Sequence, residues 1–136
     1  SGPFTTVPRS SVLPKPAQGS ALPVVIGGST PVAARRAGRL GDGFFPYVCG
    51  PDDYADLVTT IRSTAADHGR DPDAVELTVW PGSYRYGSAF DLDLAKRYAE
   101  VGVTRFVVSA QEATGPSFDD LRRFLADYRE QVLDRL

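Results

Sequence analysis

Gly27 and Gly28 follow a short apolar run, and a predicted helix begins directly after them. Glycine lets backbone N–H groups approach a ligand closely, and the first turn of a helix offers unpaired N–H groups with partial positive charge. Ser29 and Thr30 add two hydroxyls. These residue types suit a phosphate cradle, but a plain strand-to-helix turn that needs a positive φ explains the two glycines equally well.

A second group of candidates lies in the glycine-rich stretch 81–91, which is longer than the usual connection between two elements. Tyr84, Arg85 and Tyr86 could stack on or clamp a planar or charged ligand. An exposed loop that touches only solvent accounts for them equally well.

The remaining reactive side chains are isolated in the sequence. The single cysteine, Cys49, is predicted to be a small buried hydrophobe, and the single histidine, His68, to cap the end of a helix. Asp42 is expected to form a turn with its own side chain, and Glu112 to have a surface or helix-dipole role. One Cys and one His cannot assemble a Cys/His zinc site, so no metal is expected.

Composition narrows the class of protein. The chain has 136 residues, 42% of them hydrophobic and 24% charged, which suits one soluble domain. A net charge of −2 argues against a partner that is a nucleic acid. No apolar run is long enough for a membrane span, and a lone cysteine fits the reducing cytoplasm.

The elements that would position these residues alternate along the chain. Four prolines interrupt the first residues, so an extended arm is predicted over residues 1–21 and a folded domain over residues 22–136. Thr30 is predicted to cap the first helix, and Gly41 to end it. The predicted strands are 24–26, 43–48, 75–80 and 105–109, and a helix follows each of them.

Apolar periodicity gives the buried faces of the helices. The second helix presents Tyr54, Leu57, Val58 and Ile61. The last helix is predicted to bury Phe118, Leu121, Phe124, Leu125 and Tyr128.

Strands that alternate with helices indicate an α/β protein with a parallel sheet and right-handed crossovers. Four such βα units make half of a (β/α)8 barrel, so the fold predicted is TIM-barrel-like. A small open sheet is the alternative, although it would leave two bare edges.

The segment LPVVIGGSTPVAARRAGRLGDGFFP, together with a preceding PKPAQ and a following HGRDPDAVELTV, resembles the luciferase-like monooxygenase superfamily. Members are monooxygenases and reductases that use a flavin or the deazaflavin coenzyme F-420. Two positions depart from the family's pattern: Gly38 stands where Ala is common, and Phe44 where Trp is common.

The resemblance implies a (β/α)8 barrel in which this chain is the C-terminal half. It implies that Ile26, Gly27, Gly28, Ser29 and Thr30 lie against the phosphate of FMN or the deazaflavin. It also implies an oxidoreductase that transfers hydride or activates O₂ at that cofactor. Residues 84–86 would then belong to a loop over the mouth of the pocket.

The resemblance further implies that the usual catalytic side chains belong to the other half of the barrel. The absence of methionine agrees with that expectation. We therefore expect this chain alone to be incomplete as an enzyme, and to need either an N-terminal half or a second copy of itself. The alternative is a non-catalytic half-barrel module that self-associates, as a dimer, through its edge strands.

Overall fold

The computed structural model describes residues 4, 8, 11, 13–113 and 115–136. The described part of the predicted arm is exposed and contains one short 3-10 helix, Gly19–Ala21. The rest of the arm lies outside the described residues. The domain boundary at residue 22 stays a prediction.

Four strands and five helices follow in the described part of the chain. The strands are β1 (Val25–Gly27), β2 (Gly43–Phe45), β3 (Glu76–Val79) and β4 (Arg105–Phe106). The helices are α1 (Pro31–Leu40), α2 (Pro51–Asp67), α3 (Pro81–Tyr84), α4 (Leu92–Val101) and α5 (Phe118–Gln131). Two further 3-10 helices are Ala110–Glu112 and Leu133–Arg135.

The sheet is parallel throughout, and its strands are neighbours in the order of the chain, β1-β2-β3-β4. A doubly wound sheet reverses its strand order at a switch point, whereas a (β/α)8 barrel adds each strand beside the last. The sequential order therefore confirms the predicted α/β, TIM-barrel-like class.

One face of the sheet carries the main core. Its apolar side chains pack against the buried faces of α1, α2 and α4, as predicted for α2. The members from the strands are Ile26, Phe44, Leu77, Val79 and Phe106. The opposite face is less apolar, since Arg105 and Glu76 form an ion pair of 2.7 Å there, and Val25 is 48% exposed.

Local signals fix α1 as predicted. The Thr30 side chain accepts a hydrogen bond from the Ala33 N–H at 3.3 Å, and Pro31 occupies the first turn. The Gly41 N–H donates to Ala37 O and ends the helix.

An arginine that the sequence analysis did not single out holds the other end of α1. The Arg70 guanidinium donates to Gly38 O and Gly41 O, each at 2.6 Å, and to Ala37 O at 3.2 Å. Gly38 O is one of the carbonyls that a helix leaves without an intrahelical partner at its C-terminus, and Ala37 O accepts from Arg70 in addition to the Gly41 N–H. The GRDP stretch therefore ties the α2–β3 turn to α1.

Several predicted boundaries are wrong. Strands β2 and β4 stop earlier than predicted, after Phe45 and Phe106, and the predicted loop 81–91 begins with the one-turn helix α3. In α5, Phe118 is 69% and Leu125 47% exposed. This helix packs through a narrower stripe onto a second small core, whose buried members are Ala89, Ala95, Phe124, Tyr128 and Val132.

Candidate functional site at the carboxyl ends of the strands

The turn after β1 has one glycine with a special conformation. Gly28 has φ +114°, a value that side chains rarely adopt, and a Cβ there would meet the Ala33 Cβ at 3.0 Å. A Cβ at Gly27 would meet only Phe45 O, at 3.7 Å. The turn therefore requires glycine at one of the two positions, Gly28.

The two hydroxyls beside this turn are already engaged. Thr30 Oγ1 caps α1, and Ser29 Oγ accepts from the Tyr47 N–H at 3.1 Å and donates to Tyr47 O. Among the described residues, the backbone N–H groups of Ser29, Thr30 and Val32 donate no hydrogen bond. The donors still available to an anion are therefore backbone N–H groups rather than side chains.

The next turn, after β2, contains a strained residue and is hydrogen-bonded to the turn after β3. Val48 has φ +49°, which is unfavourable for a β-branched residue. Its N–H donates to Ser83 Oγ at 3.2 Å, and this hydroxyl in turn donates to Trp80 O at 2.7 Å. Backbone strain of this kind persists only where the surroundings fix it, and it is concentrated at functional sites.

The three residues predicted on the long connection lie at this same edge of the sheet. Tyr84 belongs to α3 and packs on the β2–α2 turn, because a Cβ at Gly50 would lie 2.9 Å from its ring. Arg85 forms an ion pair with Asp91, and Tyr86 is 78% exposed. Of the three, Tyr84 alone has a described contact with another of the strand-end turns.

Sequence reasoning did not single out Trp80 and did not foresee the partner of Glu112. Glu112 is half-buried, and its Oε2 accepts a hydrogen bond from the Ala89 N–H at 3.1 Å. The Trp80 Nε1 is buried without a hydrogen-bond partner in the described part of the chain. The Trp80 ring lies 6.2 Å from the Tyr47 ring. The sequence signal for Trp80 was its place at the carboxyl end of a strand.

The other single candidates are structural. His68 ends α2, with Nδ1 2.8 Å from Thr64 O, which confirms the predicted cap. The Asp42 carboxylate accepts from the Val24 N–H at 2.8 Å, so it joins the residue before β1 to the α1–β2 turn.

Cys49 is buried, as predicted, beside two buried tyrosines. Tyr98 Oη donates to Cys49 O at 2.6 Å, and Tyr54 Oη donates to Thr78 O at 3.1 Å. Burial, with a smaller effect of the Asp53 carboxylate, raises the pKa of the Cys49 thiol to about 11. Burial also raises the pKa of both tyrosines well above their usual range.

We expect this cluster to set an alkaline limit on stability. The native pKa values are raised, so the unfolded chain releases these protons more easily and the native state loses stability as pH rises. For Cys49 the contribution is complete below the ordinary value of 9.0 and is lost as pH rises through about 11. Urea unfolding at a series of pH values should give a midpoint that falls across this window. A midpoint that stays constant through pH 11 would contradict the cluster's role.

The sequential parallel sheet with helices on one of its faces is the arrangement of a TIM-barrel-like α/β protein. In that fold ligands bind at the carboxyl ends of the strands. The luciferase-like monooxygenase profile matches residues 1–131. The chain belongs to the luciferase-like monooxygenase family.

Two individual proteins are similar to it. A phthiodiolone/phenolphthiodiolone dimycocerosates ketoreductase from Mycobacterium sp. (strain JLS) is 37% identical over 75 residues, which is 50% of this chain and 20% of that protein. The structure of a coenzyme F-420 dependent tetrahydromethanopterin reductase from Methanopyrus kandleri matches 98% of this chain with a TM-score of 0.70. At 15% identity this second likeness supports the fold alone.

The chain spans 56% of the length of that reductase chain. None of the helices in the described ranges is long and apolar enough to cross a membrane.

Proposed function

We propose that this chain forms one half of the barrel of a luciferase-like oxidoreductase and holds the phosphate of a flavin or deazaflavin. The observation that carries the proposal is the set of uncommitted backbone N–H groups of Ser29, Thr30 and Val32 at the start of α1. An anion at a helix N-terminus gains both hydrogen bonds and the favourable helix dipole. Ile26, Gly27 and Gly28 shape the turn that leads into these donors.

The charges around the turn limit where a phosphate can lie. A cleft between the starts of α1 and α2 is lined by Ser29, Val48 and Cys49, and also by Asp53 and Asp56. Two carboxylates would repel a phosphate in that cleft. We therefore infer that the phosphate lies on the sheet side of the Gly28 turn, away from α2.

The cofactor, when bound, supplies hydride transfer or O₂ activation. The residues of this chain bind and orient it. The N–H groups at the Gly28 turn hold the phosphate, and the turns after β2 and β3 form part of the wall above the sheet. Tyr84, Arg85 and Tyr86 are proposed to border the mouth of the pocket.

We further propose that the two open edges of the sheet, β1 and β4, are covered by a second (βα)4 unit. Open edges with unpaired N–H and C=O groups favour pairing with another strand. Either an N-terminal half or a second copy of this chain would supply such a unit. Native mass spectrometry of the purified chain distinguishes a dimer from a monomer that needs the other half.

A comparison of FMN with riboflavin tests the phosphate site, because the two ligands differ by the phosphate alone. Titration calorimetry should show tighter binding of FMN than of riboflavin. The substitution Gly28→Ala should weaken FMN binding about tenfold, since a Cβ there strains the turn and displaces the N–H groups; this corresponds to about 1.4 kcal/mol. Riboflavin binding should not change.

Gly69→Ala is a matched control for this experiment. Gly69 also has a positive φ, of +68°, but nothing lies within 4 Å of its Cβ position, and it lies at the far end of α2. The substitution places a side chain at another positive φ, away from the strand ends. Equal binding of FMN and riboflavin, or equal effects of the two glycine substitutions, would overturn the proposed phosphate site.

A further inference from the structure

Two serine hydroxyls join three consecutive strand-end turns into one connected unit. Ser29, in the turn after β1, accepts from the Tyr47 N–H at 3.1 Å and donates to Tyr47 O. Ser83, which follows β3, accepts from the Val48 N–H at 3.2 Å and donates to Trp80 O at 2.7 Å. The turn after β2 is therefore held from both sides, at two adjacent residues, by side chains of the neighbouring turns.

The Ser29 hydroxyl takes the place of a backbone group. The register of β1 and β2 pairs Gly27 with Phe45, so in a longer parallel ladder the Tyr47 N–H would donate to a backbone carbonyl of the first strand. The positive φ of Gly28 turns the chain out of the strand at this point. The hydroxyl of the next residue accepts the hydrogen bond instead, and the link between the two strands continues past the end of β1.

The Ser83 hydroxyl holds a strained residue. Val48 has φ +49°, which a β-branched residue adopts only where its surroundings impose it. In the described part of the chain, the Ser83 hydroxyl is the one acceptor of the Val48 N–H. This hydroxyl is itself fixed by its bond to Trp80 O. Its removal would leave the strained turn free to relax.

This connection bears on the phosphate site because Ser29 also supplies one of the proposed N–H donors. A side chain held by two hydrogen bonds restricts its own backbone, so the direction of the Ser29 N–H depends on the position of Tyr47. Tyr47 directly precedes Val48 in the chain. A change at Ser83 therefore reaches the turn after β1 through a contiguous path of hydrogen bonds and backbone.

We propose that Ser83 is a positioning residue for the phosphate site and acts through the turn at Val48 and the Ser29 hydroxyl. This rests on the proposed function in one respect, namely that the group held at the Gly28 turn is a phosphate. Ser83 does not bind the phosphate itself. It keeps the turn after β2 in the one conformation that aligns the Ser29 N–H with its ligand.

Amide hydrogen exchange without any ligand tests the connection itself. Ser83→Ala should raise the exchange rate of the Val48 N–H, which loses its acceptor. It should also raise the rate of the Tyr47 N–H about threefold or more, the effect of one ordinary hydrogen bond, although this N–H is bonded to Ser29. An unchanged rate for the Tyr47 N–H would overturn the proposal.

Ser63→Ala is the matched control for this experiment. The Ser63 hydroxyl also donates to a backbone carbonyl, Thr60 O at 3.2 Å, but both residues lie within α2 and far from the strand-end turns. The exchange rates of the Tyr47 and Val48 amides should not change. Equal effects of the two serine substitutions would contradict a specific role of Ser83.

The ratio of FMN affinity to riboflavin affinity then tests the effect on the phosphate. By titration calorimetry, Ser83→Ala should lower this ratio about threefold, and riboflavin binding should stay the same. Ser83→Thr retains a hydroxyl and should restore the ratio. The substitutions Ser29→Ala and Ser83→Ala should cost less together than the sum of their separate effects, because both act on one turn.

The two proposals fail in different ways. Equal binding of FMN and riboflavin by the unchanged chain would overturn the phosphate site. A chain that prefers FMN, and keeps the same preference after Ser83→Ala, would overturn the role of Ser83 alone.

Discussion

Gly38→Ala should destabilise the protein by about 2 kcal/mol or more, although alanine is the better helix former by about 1 kcal/mol. Helices α1 and α2 touch at this residue without room for a methyl group. A Cβ on Gly38 would lie 2.5 Å from Ile61 O and 2.8 Å from the Thr64 Cβ. One of these neighbours is backbone and cannot rotate away, so the two helices must separate, and overpacking of this kind costs about 1–3 kcal/mol or more.

Urea unfolding followed by circular dichroism measures this effect as a lower midpoint at an unchanged slope. Arg39→Ala is the control, because Arg39 is the exposed neighbour on the same helix and should change stability by less than about 0.5 kcal/mol. A Gly38→Ala protein as stable as its parent would mean that helix propensity outweighs the contact.

Arg70→Ala should cost about 2–4 kcal/mol, the second large effect. The substitution removes the hydrogen bonds from the guanidinium to the carbonyls of Ala37, Gly38 and Gly41. These carbonyls lie at the C-terminus of α1, where the helix dipole is negative. Each hydrogen bond from a charged group is worth about 1.5–3 kcal/mol, and neighbouring ones are not additive. Arg70→Lys should recover less than half of the loss, because an ammonium group lacks the planar fork that reaches separate carbonyls.

The comparison for this prediction is Arg62→Ala. Arg62 forms an ion pair of 2.9 Å with Asp73, but both side chains are largely exposed. Exposed pairs contribute about 0–1 kcal/mol, so its loss should be small by the same urea measurement. If the Arg62 and Arg70 substitutions cost the same, charge rather than capping geometry would be the source of the effect.

Features coded by neighbouring residues could be predicted from the sequence. Helix α1 begins and ends as predicted because Thr30, Pro31 and Gly41 are a local cap, first turn and stop. The buried stripe of α2 and the alternation of strands and helices also follow from short-range periodicity. The strand ends were less predictable, since apolar residues continue beyond the last paired residue of β2 and β4.

The candidate site could be predicted only in part, because some of its contacts join residues that are distant in the sequence. The sequence located Gly28 at a strand-to-helix turn, where the structure has a positive φ. It did not foresee that the hydroxyl of Ser29 is engaged by Tyr47, eighteen residues away. Side-chain partners this distant depend on which turns the sheet brings together.

The order of the elements, the capped start of α1 and the family could all be predicted from the printed residues alone. Three contacts became known only from the folded chain: Arg70 holds the end of α1, Gly38 leaves no space beside α2, and Trp80 and Glu112 both lie against Gly82. Caps, turns and periodic apolar stripes depend on residues a few positions apart, so they can be predicted from the sequence. The other contacts join residues that are far apart in the chain, and they exist only once parallel strands have aligned their carboxyl ends.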